Sequence, residues 1–478
     1  MNYSIIRFIL CRVLEVEGVF LALPCMIALI YGERSGWAFA AACFLCLAAG
    51  FAGTRKKPKS QVFYAREGFV TVSLSWIVLS LAGALPFTLC GDIPSYTDAL
   101  FEVISGFTTT GASILPEVES LSRCSLFWRS FTHWLGGMGV LVFVMAVLPL
   151  AGGYNMHLMR AESPGPSVGK LVPRVKQTAQ ILYGIYLALT MLQIILLLLS
   201  GMAPFDAFTM SFGTAGTGGF GVLNDSAASY TMFQQGILTV FMILFGINFN
   251  VYYLFLIMKP KQALRCEEMR TYLGIIAAAV LLIVWNARDS FATLPEAFHH
   301  VAFQVASIIT TTGFSTVNFD LWPQLSKTIL VLLMFVGACA GSTGGGIKVS
   351  RCVVLCKSVR KELRSAMHPR SIGRVRFEGR AMEPEILHSI ERFFAAYMIV
   401  FAASVLVISL ENMDFGSTFT SVAATLNNIG PGLGAVGPME NFGGLSVLSK
   451  YVLMFDMLAG RLEIFPMLVL FMPATWRK

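Results

Sequence analysis

The sequence predicts an all-α polytopic membrane protein, in which four repeats of helix, short helix and helix follow two extra N-terminal helices. Three observations predict this class. The 478 residues are 56% hydrophobic and only 13% charged, whereas soluble domains carry about 25% charged residues. The mean hydropathy is +0.70, and long apolar runs recur from end to end. A glycine-rich motif follows a short apolar segment four times along the chain.

Runs of about 20 apolar residues can cross a bilayer, and the chain contains ten such runs. An even number of spans places both termini on one side of the membrane. The first run carries Arg7, Arg12, Glu15 and Glu17 and lacks a small-residue cleavage site, so we interpret it as a membrane helix rather than a cleaved signal. The ten predicted spans are 5–30, 36–54, 69–90, 126–150, 179–201, 232–258, 271–286, 326–350, 390–410 and 448–474.

The placement of the positive charges predicts the orientation. The net charge is +8, and 25 of the 35 Lys and Arg residues lie in five places that alternate with segments poor in Lys and Arg. This is the positive-inside pattern, so the five basic stretches and both termini should be cytoplasmic. A nucleic-acid-binding surface would not need to omit every second loop. The five stretches are 55–68, 151–176, 259–270, 348–380 and the last two positions.

Four further apolar segments are too short or too broken to cross the bilayer. Each begins with an acidic residue, which suits the first turn of a helix because it faces the exposed N–H groups and the positive dipole end. Each ends in a glycine motif: TTTGAS, GTGGFG, TTTGFS or GPGLGA. The segments cover 97–110, 205–217, 295–312 and 414–429; their acids are Asp98, Asp206, Glu296 and Asp414; their key glycines are Gly111, Gly219, Gly313 and Gly432.

These motifs divide the chain into repeats, because successive key glycines are 108, 94 and 119 residues apart. A unit that recurs at such spacing predicts a shared supersecondary structure. The predicted organisation is 1–60 for the two N-terminal helices, 61–165 for repeat 1, 166–264 for repeat 2, 265–380 for repeat 3 with a basic cytoplasmic segment, and 381–478 for repeat 4.

The repeated motif predicts a cation pore. Irregular backbone at membrane depth must be buried in protein or line a watery cavity, and glycine lets carbonyl groups turn toward a common axis. Four such bends would form a ring of carbonyl oxygens that replaces the hydration shell of a monovalent cation such as K⁺. One such motif alone would be an ordinary polar turn. The predicted filter residues are Thr109, Thr110, Gly111, Gly218, Gly219, Thr311, Thr312, Gly313, Gly430, Pro431 and Gly432.

Each motif offers essentially one glycine position rather than a long ladder of carbonyls. We therefore expect few stacked ion sites, and a selectivity for potassium over sodium that is weaker than in a long filter. Two motifs depart from the pattern: the second reads AGTGGF, and the fourth places Pro431 before its key glycine.

Other motifs do not support catalysis. GTGGFG and GLGAVG match a dinucleotide-binding pattern, but neither opens a helix after a strand. His133, His299 and His300 show no metal-ligand spacing, and no nucleophile–base arrangement emerges, so we expect no enzyme and no bound cofactor. A disulfide between Cys90 and Cys124, both on the predicted outer side, is left open.

A small-residue run, GACAGSTGGGIK from Gly337, interrupts the predicted span 326–350. Close helix packing through small residues is one interpretation. The other is a flexible gate beneath the filter, since hinge residues must absorb changes in backbone angles. The predicted gate residues are Gly341, Ser342, Thr343, Gly344, Gly345, Gly346, Lys348 and Arg461.

Arg461 lies in the last predicted span near Asp456 and Glu463. A membrane-embedded arginine is costly and usually faces a partner or a watery cavity. A structural ion pair is one interpretation. We favour a position beside the pore below the filter, where its charge opposes cations.

Seven motifs resemble the Trk/Ktr/HKT superfamily of cation transporters, in its bacterial Trk-type branch. They span about residues 100–465 and read TTTGAS, WLGGMG, RAESPGP, TTTGF, AGSTGGGIKV, VAATLNNIGPGLG and GRLEIF. The resemblance implies a homodimer with one pore per subunit, filter backbone around the four key glycines, and a gating loop at 341–346 near Arg461. It also implies a cytosolic nucleotide-binding regulatory subunit. The basic segment 357–380 would contribute to its docking surface or attract anionic membrane lipid.

The sequence therefore predicts potassium uptake across a bacterial inner membrane, down the electrochemical gradient. The substrate is K⁺, and the gate and the regulatory subunit control its passage. An obligate proton- or sodium-coupled symporter is the alternative within the same fold. A membrane-anchored enzyme or scaffold subunit is the third interpretation.

Overall fold

The computed structural model describes residues 1–56, 58, 64–139, 175–369 and 373–477. Almost all regular structure in this part of the chain is helical, so the prediction of an all-α polytopic protein is confirmed. Within the described residues, six helices are long and apolar enough to cross a membrane, and a bent pair would make a seventh. The predicted repeat boundaries at 60 and 165 lie outside the described residues.

The helices are grouped below by the predicted repeats. The N-terminal pair is α1 (Tyr3–Tyr31) and α2 (Gly36–Thr54). Repeat 1 has α3 (Ala65–Cys90), α4 (Tyr96–Phe107) and α5 (Arg123–Gly137). Repeat 2 has α6 (Val175–Leu199), α7 (Pro204–Gly216), α8 (Met232–Phe245), α9 (Phe249–Leu256) and α10 (Pro260–Ala263).

Repeat 3 has α11 (Glu267–Ala287), α12 (Leu294–Ile309), α13 (Gln324–Val336) and α14 (Val349–Met367). Repeat 4 has α15 (Pro384–Ile408), α16 (Phe415–Leu426), α17 (Val447–Arg461), α18 (Phe465–Phe471) and α19 (Pro473–Trp476). Short 3₁₀ helices cover Arg288–Ser290, Phe319–Leu321, Ser409–Glu411 and Gly434–Val436.

Between repeats 3 and 4 lies a two-stranded antiparallel hairpin, β1 (Arg376–Phe377) and β2 (Arg380–Ala381), in which Arg376 pairs with Ala381. The predicted boundary at 380 falls inside this hairpin.

The four short helices α4, α7, α12 and α16 are the predicted acid-led segments. They have 12, 13, 16 and 12 residues, which is too short to span a bilayer. Asp98, Asp206 and Glu296 lie in first turns, as predicted. Asp414 lies one position earlier and caps α16, because its carboxylate accepts the Ser417 N–H at 3.0 Å.

The second long helix is interrupted in repeats 2, 3 and 4, which the sequence predicted only for repeat 3. The predicted span 232–258 is wrong as a single helix, because α8 and α9 meet at 89°. Gly246 ends α8, and the Asn248 side chain accepts the Asn250 N–H at 2.9 Å to start α9. The predicted span 448–474 also breaks, where Glu463 and Ile464 have φ of 62° and 63°.

In repeats 1 and 3 a glycine with positive φ follows the corresponding helix. Helix α5 ends at Gly137, Gly139 has φ of 80°, and the predicted span 126–150 lies outside the described residues from 140 onward. Helix α13 ends at Gly337 (φ 71°), so the predicted break of span 326–350 is observed.

Candidate functional site

The four short helices end in the same backbone bend. In each bend a residue in the left-handed region is followed, two positions later, by a glycine with positive φ. The left-handed residues are Thr109, Thr217, Thr311 and Asn428, with φ between 55° and 59°. The glycines are Gly111, Gly219, Gly313 and Gly430, with φ of 79°, 74°, 85° and 98°.

One hydrogen-bond pattern fixes all four bends. The N–H of each left-handed residue bonds to the carbonyl three residues earlier, and the next N–H bonds to the carbonyl five residues before itself, as in a Schellman helix end. In repeat 1 these bonds are Thr109 to Gly106 (3.1 Å) and Thr110 to Ser105 (2.9 Å). The equivalent bonds are Thr217 to Thr214 and Gly218 to Gly213 in repeat 2, Thr311 to Ile308 and Thr312 to Ser307 in repeat 3, and Asn428 to Thr425 and Ile429 to Ala424 in repeat 4.

The four bends close into a ring. A Cβ added at any of the four glycines would overlap the carbonyl oxygen that precedes the glycine of another bend. The order is cyclic, because each bend meets the next and the fourth meets the first. The pairs are Gly111 with Gly218, Gly219 with Thr312, Gly313 with Ile429 and Gly430 with Thr110. Four equivalent carbonyl groups therefore lie between neighbouring bends, where no side chain can be accommodated.

The structure corrects the register of the fourth motif. The position equivalent to Gly111 belongs to Gly430, not to Gly432, which was the predicted key glycine. A Cβ at Gly432 would meet the side chains of Thr420 and Val436 instead of another bend. Pro431 stays next to the ring, with its Cδ close to Gly313. The error arose because GPGLGA offers three glycines and Asn-Ile replaces Thr-Thr before the correct one.

Buried side chains support the ring from behind. The hydroxyls of Thr108 and Thr110 lie 2.8 Å apart, and those of Thr310 and Thr312 lie 2.7 Å apart. The Asn428 amide donates to the Thr110 hydroxyl at 2.9 Å and to the Met457 carbonyl at 2.9 Å. The bend of repeat 4 is thereby joined to that of repeat 1 and to helix α17.

A cavity of about 160 Å³ touches all four ring glycines on the predicted outer side. Arg129 of α5 lines it and pairs with Glu102 of α4 at 2.5 Å; both side chains are at most 3% exposed. Arg129 also donates to the Gly221 carbonyl at 2.9 Å, and Glu102 accepts the Ile114 N–H at 3.0 Å. This ion pair holds the backbone that follows the bends of repeats 1 and 2.

His133 lies one turn from Arg129 on α5 and is fully buried. Its Nδ1 lies 2.7 Å from the Gly106 carbonyl, and its Nε2 accepts the Phe220 N–H at 3.2 Å. This geometry assigns the ring proton to Nδ1. The histidines offered no signal in the sequence, yet this one connects the first short helix to the second bend.

The predicted gate lies directly against the other side of the ring. The chain from Gly337 to Lys348 forms no helix. The Gly345 N–H donates to the Thr311 hydroxyl at 2.6 Å. A Cβ at Gly344 would meet the Thr310 carbonyl, and one at Gly345 would overlap the Asn427 carbonyl. We call residues 337–348 the gating loop, after the role that the sequence predicts for it.

Arg461 connects this loop to repeat 1. It donates to the Thr343 carbonyl at 2.8 Å and to the carbonyls of Gly136 and Gly137 at 2.5 and 2.8 Å. Lys348, which is 3% exposed, donates to the Gly344 carbonyl. A cavity of about 80 Å³ is lined by Gly341–Gly346 apart from Thr343, and by Lys348, Gly460, Arg461 and Glu463 among others.

The proposed ion-pair partners of Arg461 pair elsewhere. Asp456 accepts a hydrogen bond from Ser404 at 2.7 Å, and Glu463 pairs with Arg351. Arg461 contacts backbone carbonyls of the gating loop and of α5, which favours the prediction that it lies beside the pore. Its effect on ions stays a prediction.

Sequence reasoning missed Glu102, Arg129 and Asn428. Charged residues in apolar segments are a functional signal, and that signal was applied to Arg461 but was equally present for Glu102 and Arg129. Asn428 carried a weaker signal, because Asn tolerates the left-handed region better than most residues. Cys90 and Cys124 are both free thiols in the structure.

Residues 35–478 match the family described as TrkH, cation transport protein. The Trk system potassium uptake protein TrkH of Salmonella typhimurium is 40% identical over 472 residues, covering 95% of each chain. The TrkH protein of Vibrio parahaemolyticus is 38% identical over 487 residues, covering 99% of each.

The structure of the potassium transporter TrkH from Vibrio parahaemolyticus superposes with a TM-score of 0.89, at 35% identity and full coverage of both chains. Fold and family together define a multi-pass membrane transport protein rather than an enzyme. The chain belongs to the TrkH family of cation transport proteins. The predicted resemblance to Trk-type transporters is thereby confirmed.

Proposed function

We propose that this protein takes up potassium through the ring of bends, which acts as the selectivity filter. The single observation that supports this most is the cyclic order of the four glycines, each against the carbonyl of the next bend. Carbonyl oxygens at close quarters can replace the water around a dehydrated monovalent cation. The relatives' names state potassium uptake for those proteins.

The gating loop is the proposed gate, since its glycines lie against the inner face of the ring. In this proposal Arg461 opposes cation passage from the same side. The loop would have to move for ions to pass, and its glycines would provide the needed backbone freedom.

The finer assignments belong to the same proposal. The protein would be a homodimer with one pore per subunit in a bacterial inner membrane, with both termini cytoplasmic. A cytosolic nucleotide-binding subunit would control the gate. A basic cleft of about 370 Å³ between α14 and the hairpin supports a docking surface for an acidic partner or for lipid. It is lined by Lys357, Arg360, Lys361, Arg364, Arg374 and Arg376, among others.

The test is ion flux into liposomes that contain the purified protein. We expect potassium influx that follows the membrane potential and exceeds sodium influx. Conduction without a gradient of protons or sodium would favour a channel over an obligate symporter. Gly313→Ala should abolish selective flux, because its Cβ would overlap the Ile429 carbonyl, whereas Gly236→Ala has open space and serves as control. Equal potassium and sodium fluxes in the wild type would refute the filter.

A further inference from the structure

A buried acid outside the predicted gate contacts both flanks of the gating loop. Glu268 lies in the first turn of α11 and is 3% exposed. Its Oε1 accepts the Ala340 N–H at 2.7 Å and the Ser350 N–H at 3.2 Å. One carboxylate oxygen therefore joins two points of the chain that are ten residues apart in sequence, with residues 341–346 between them.

The same carboxylate also reaches the break in repeat 2. Its Oε2 accepts a hydrogen bond from the Asn248 amide at 3.4 Å. Backbone bonds run in parallel, from Cys339 N–H to the Gly246 carbonyl and from Phe249 N–H to the Gly341 carbonyl, both at 3.0 Å. The loop is thus anchored on the short connection between α8 and α9, and Glu268 completes that anchor.

A simple helix cap does not account for these contacts. Ser350 is the second residue of α14, so its N–H is one that a cap would satisfy. Ala340, however, belongs to no helix, and its N–H is the shorter of the two contacts. In the part of the chain that the structure describes, Glu268 has no salt bridge to a basic residue. Its buried carboxylate is therefore stabilised by N–H donors, two of them from the loop and its exit.

The main chain of Glu268 is itself held in place. Its N–H donates to a Glu378 carboxylate oxygen at 3.0 Å, and the Glu378 N–H donates to Glu267 at 3.2 Å. Glu378 lies in the turn of the β-hairpin, with φ of 50°. The hairpin thereby fixes the end of α11 from which the Glu268 side chain extends.

We propose that Glu268 is a positioning residue that holds the gating loop in its blocking position against the ring. The inference rests on the proposed function, since it assigns a task to one residue at the same gate. Removing the carboxylate would leave two buried N–H groups without acceptors, which favours loop conformations away from the ring. No other acid among the described residues bonds to the loop backbone.

The experiment uses Glu268→Ala, the near-isosteric Glu268→Gln and a matched control, Glu67→Ala. Glu67 is also a 3% exposed acid in the first turn of a long helix, but it accepts a hydrogen bond from the Tyr64 N–H and does not contact the loop.

Two quantities are measured for the purified full-length protein in liposomes. They are the potassium flux and the maleimide labelling of each cysteine, which peptide mass spectrometry quantifies. Cys339 lies in the loop and Cys124 lies near Glu33, and both are fully buried.

We expect Glu268→Ala to raise potassium flux and the ratio of Cys339 to Cys124 labelling by about tenfold, as loss of charged hydrogen bonds implies. Glu268→Gln should give a smaller rise. Its amide oxygen can still accept the Ala340 and Ser350 N–H groups, and only the bond from Asn248 is lost because the amide nitrogen cannot accept it. Glu67→Ala should leave both quantities near the wild-type values. General destabilisation would raise the labelling of both cysteines and leave their ratio unchanged.

Unchanged labelling of Cys339 in a monodisperse Glu268 variant would overturn the proposal. If Glu268→Ala does not fold, the same criterion applies to Glu268→Gln. A rise in the labelling ratio with no potassium flux in any variant, wild type included, would reject the proposed function and leave the positioning role standing.

Discussion

Three threonines and one asparagine occupy the most constrained positions of the ring. Thr109, Thr217, Thr311 and Asn428 adopt the left-handed conformation, which costs an L-residue roughly 1–2 kcal/mol. Strain of this kind persists only where the surroundings over-determine it. Here two backbone hydrogen bonds fix each bend, and the side chains supply hydroxyl or amide groups that glycine could not.

The fourth motif gives a direct test of register. Gly430→Ala should lower the ratio of potassium to sodium flux toward one, because its Cβ would meet the Thr110 carbonyl and Gly111 at a φ of 98°. Gly432→Ala should keep most of the selectivity, because the nearest atoms belong to the side chains of Thr420 and Val436, which can shift. The measurement is the reversal potential in mixed salts.

The opposite outcome would contradict this assignment. If Gly432→Ala loses selectivity while Gly430→Ala keeps it, Gly432 is the filter glycine, as the sequence predicted, and Gly430 is not. Gly184→Ala, at a position with open space around it, controls for the substitution itself.

The Glu102–Arg129 pair carries a prediction about stability. Breaking a buried pair leaves one charge without a partner, which costs about 3–5 kcal/mol. Arg129→Met should therefore lower the unfolding temperature strongly, and Glu102→Gln combined with Arg129→Met should recover part of the loss. Thermal unfolding of the purified protein in detergent measures both.

The control is the exposed pair of Arg288 and Asp289, whose side chains are 63% and 92% exposed. Arg288→Gln should change the free energy of unfolding by less than about 0.5 kcal/mol. If Arg129→Met behaves like Arg288→Gln, the buried pair does not hold the outer mouth of the ring.

At the scale of helices, the interrupted second helix of repeats 2, 3 and 4 is the main feature. The breaks follow Phe245, Val336 and Arg461, and in repeat 1 helix α5 ends at Gly137. Each break leaves carbonyl groups without intrahelical partners. Arg461 donates to two carbonyls at the end of α5, those of Gly136 and Gly137, and to the Thr343 carbonyl in the gating loop, so one side chain joins the gating loop to the end of α5.

Arg461→Ala should increase potassium flux. A unit charge about 10 Å from an ion contributes roughly 1.7 kcal/mol at an effective dielectric constant of about 20, which corresponds to roughly tenfold in rate. The substitution also removes the hydrogen bond that Arg461 donates to the Thr343 carbonyl of the loop, which acts in the same direction. Flux in liposomes measures the change.

Arg392→Ala removes the same charge from an exposed position on α15 and should leave flux unchanged. A correctly folded Arg461→Ala variant with wild-type flux would remove the barrier role from Arg461.

At the scale of the molecule, the distribution of charge predicts orientation. Leu321, 81% exposed in the connection that follows α12, should face the outside, and the basic C-terminus should face the cytoplasm. An impermeant maleimide should label Leu321→Cys in intact cells, and should label Arg477→Cys only after permeabilisation.

Labelling at the two positions is quantified by peptide mass spectrometry, which separates the introduced thiols from the ten native cysteines. Labelling of Arg477→Cys in intact cells would contradict cytoplasmic termini.

Sequence reasoning performed best where a local rule was sufficient. The short helices were found because their acids, apolar length and terminal glycines obey helix-end chemistry. It failed where several local solutions were equally good: Gly432 and Gly430 both follow a short helix, and only contact with Thr110 distinguishes them. The break at 246–248 was missed because the run 232–258 was treated as one apolar span, although Gly246 and Asn248 lie inside it and form the end of α8 and the start of α9.

The sequence by itself determined the membrane class, the fourfold repetition, the family and the approximate place of the four bends and of the small-residue loop, because apolar length, charge placement and glycine motifs are local properties of a chain. Only the tertiary structure decided which carbonyl meets which glycine, which acid bonds to the loop, and that Arg461 bonds to backbone carbonyls while Asp456 and Glu463 pair elsewhere. Those choices join residues up to several hundred positions apart, and packing in three dimensions alone sets which of them come into contact.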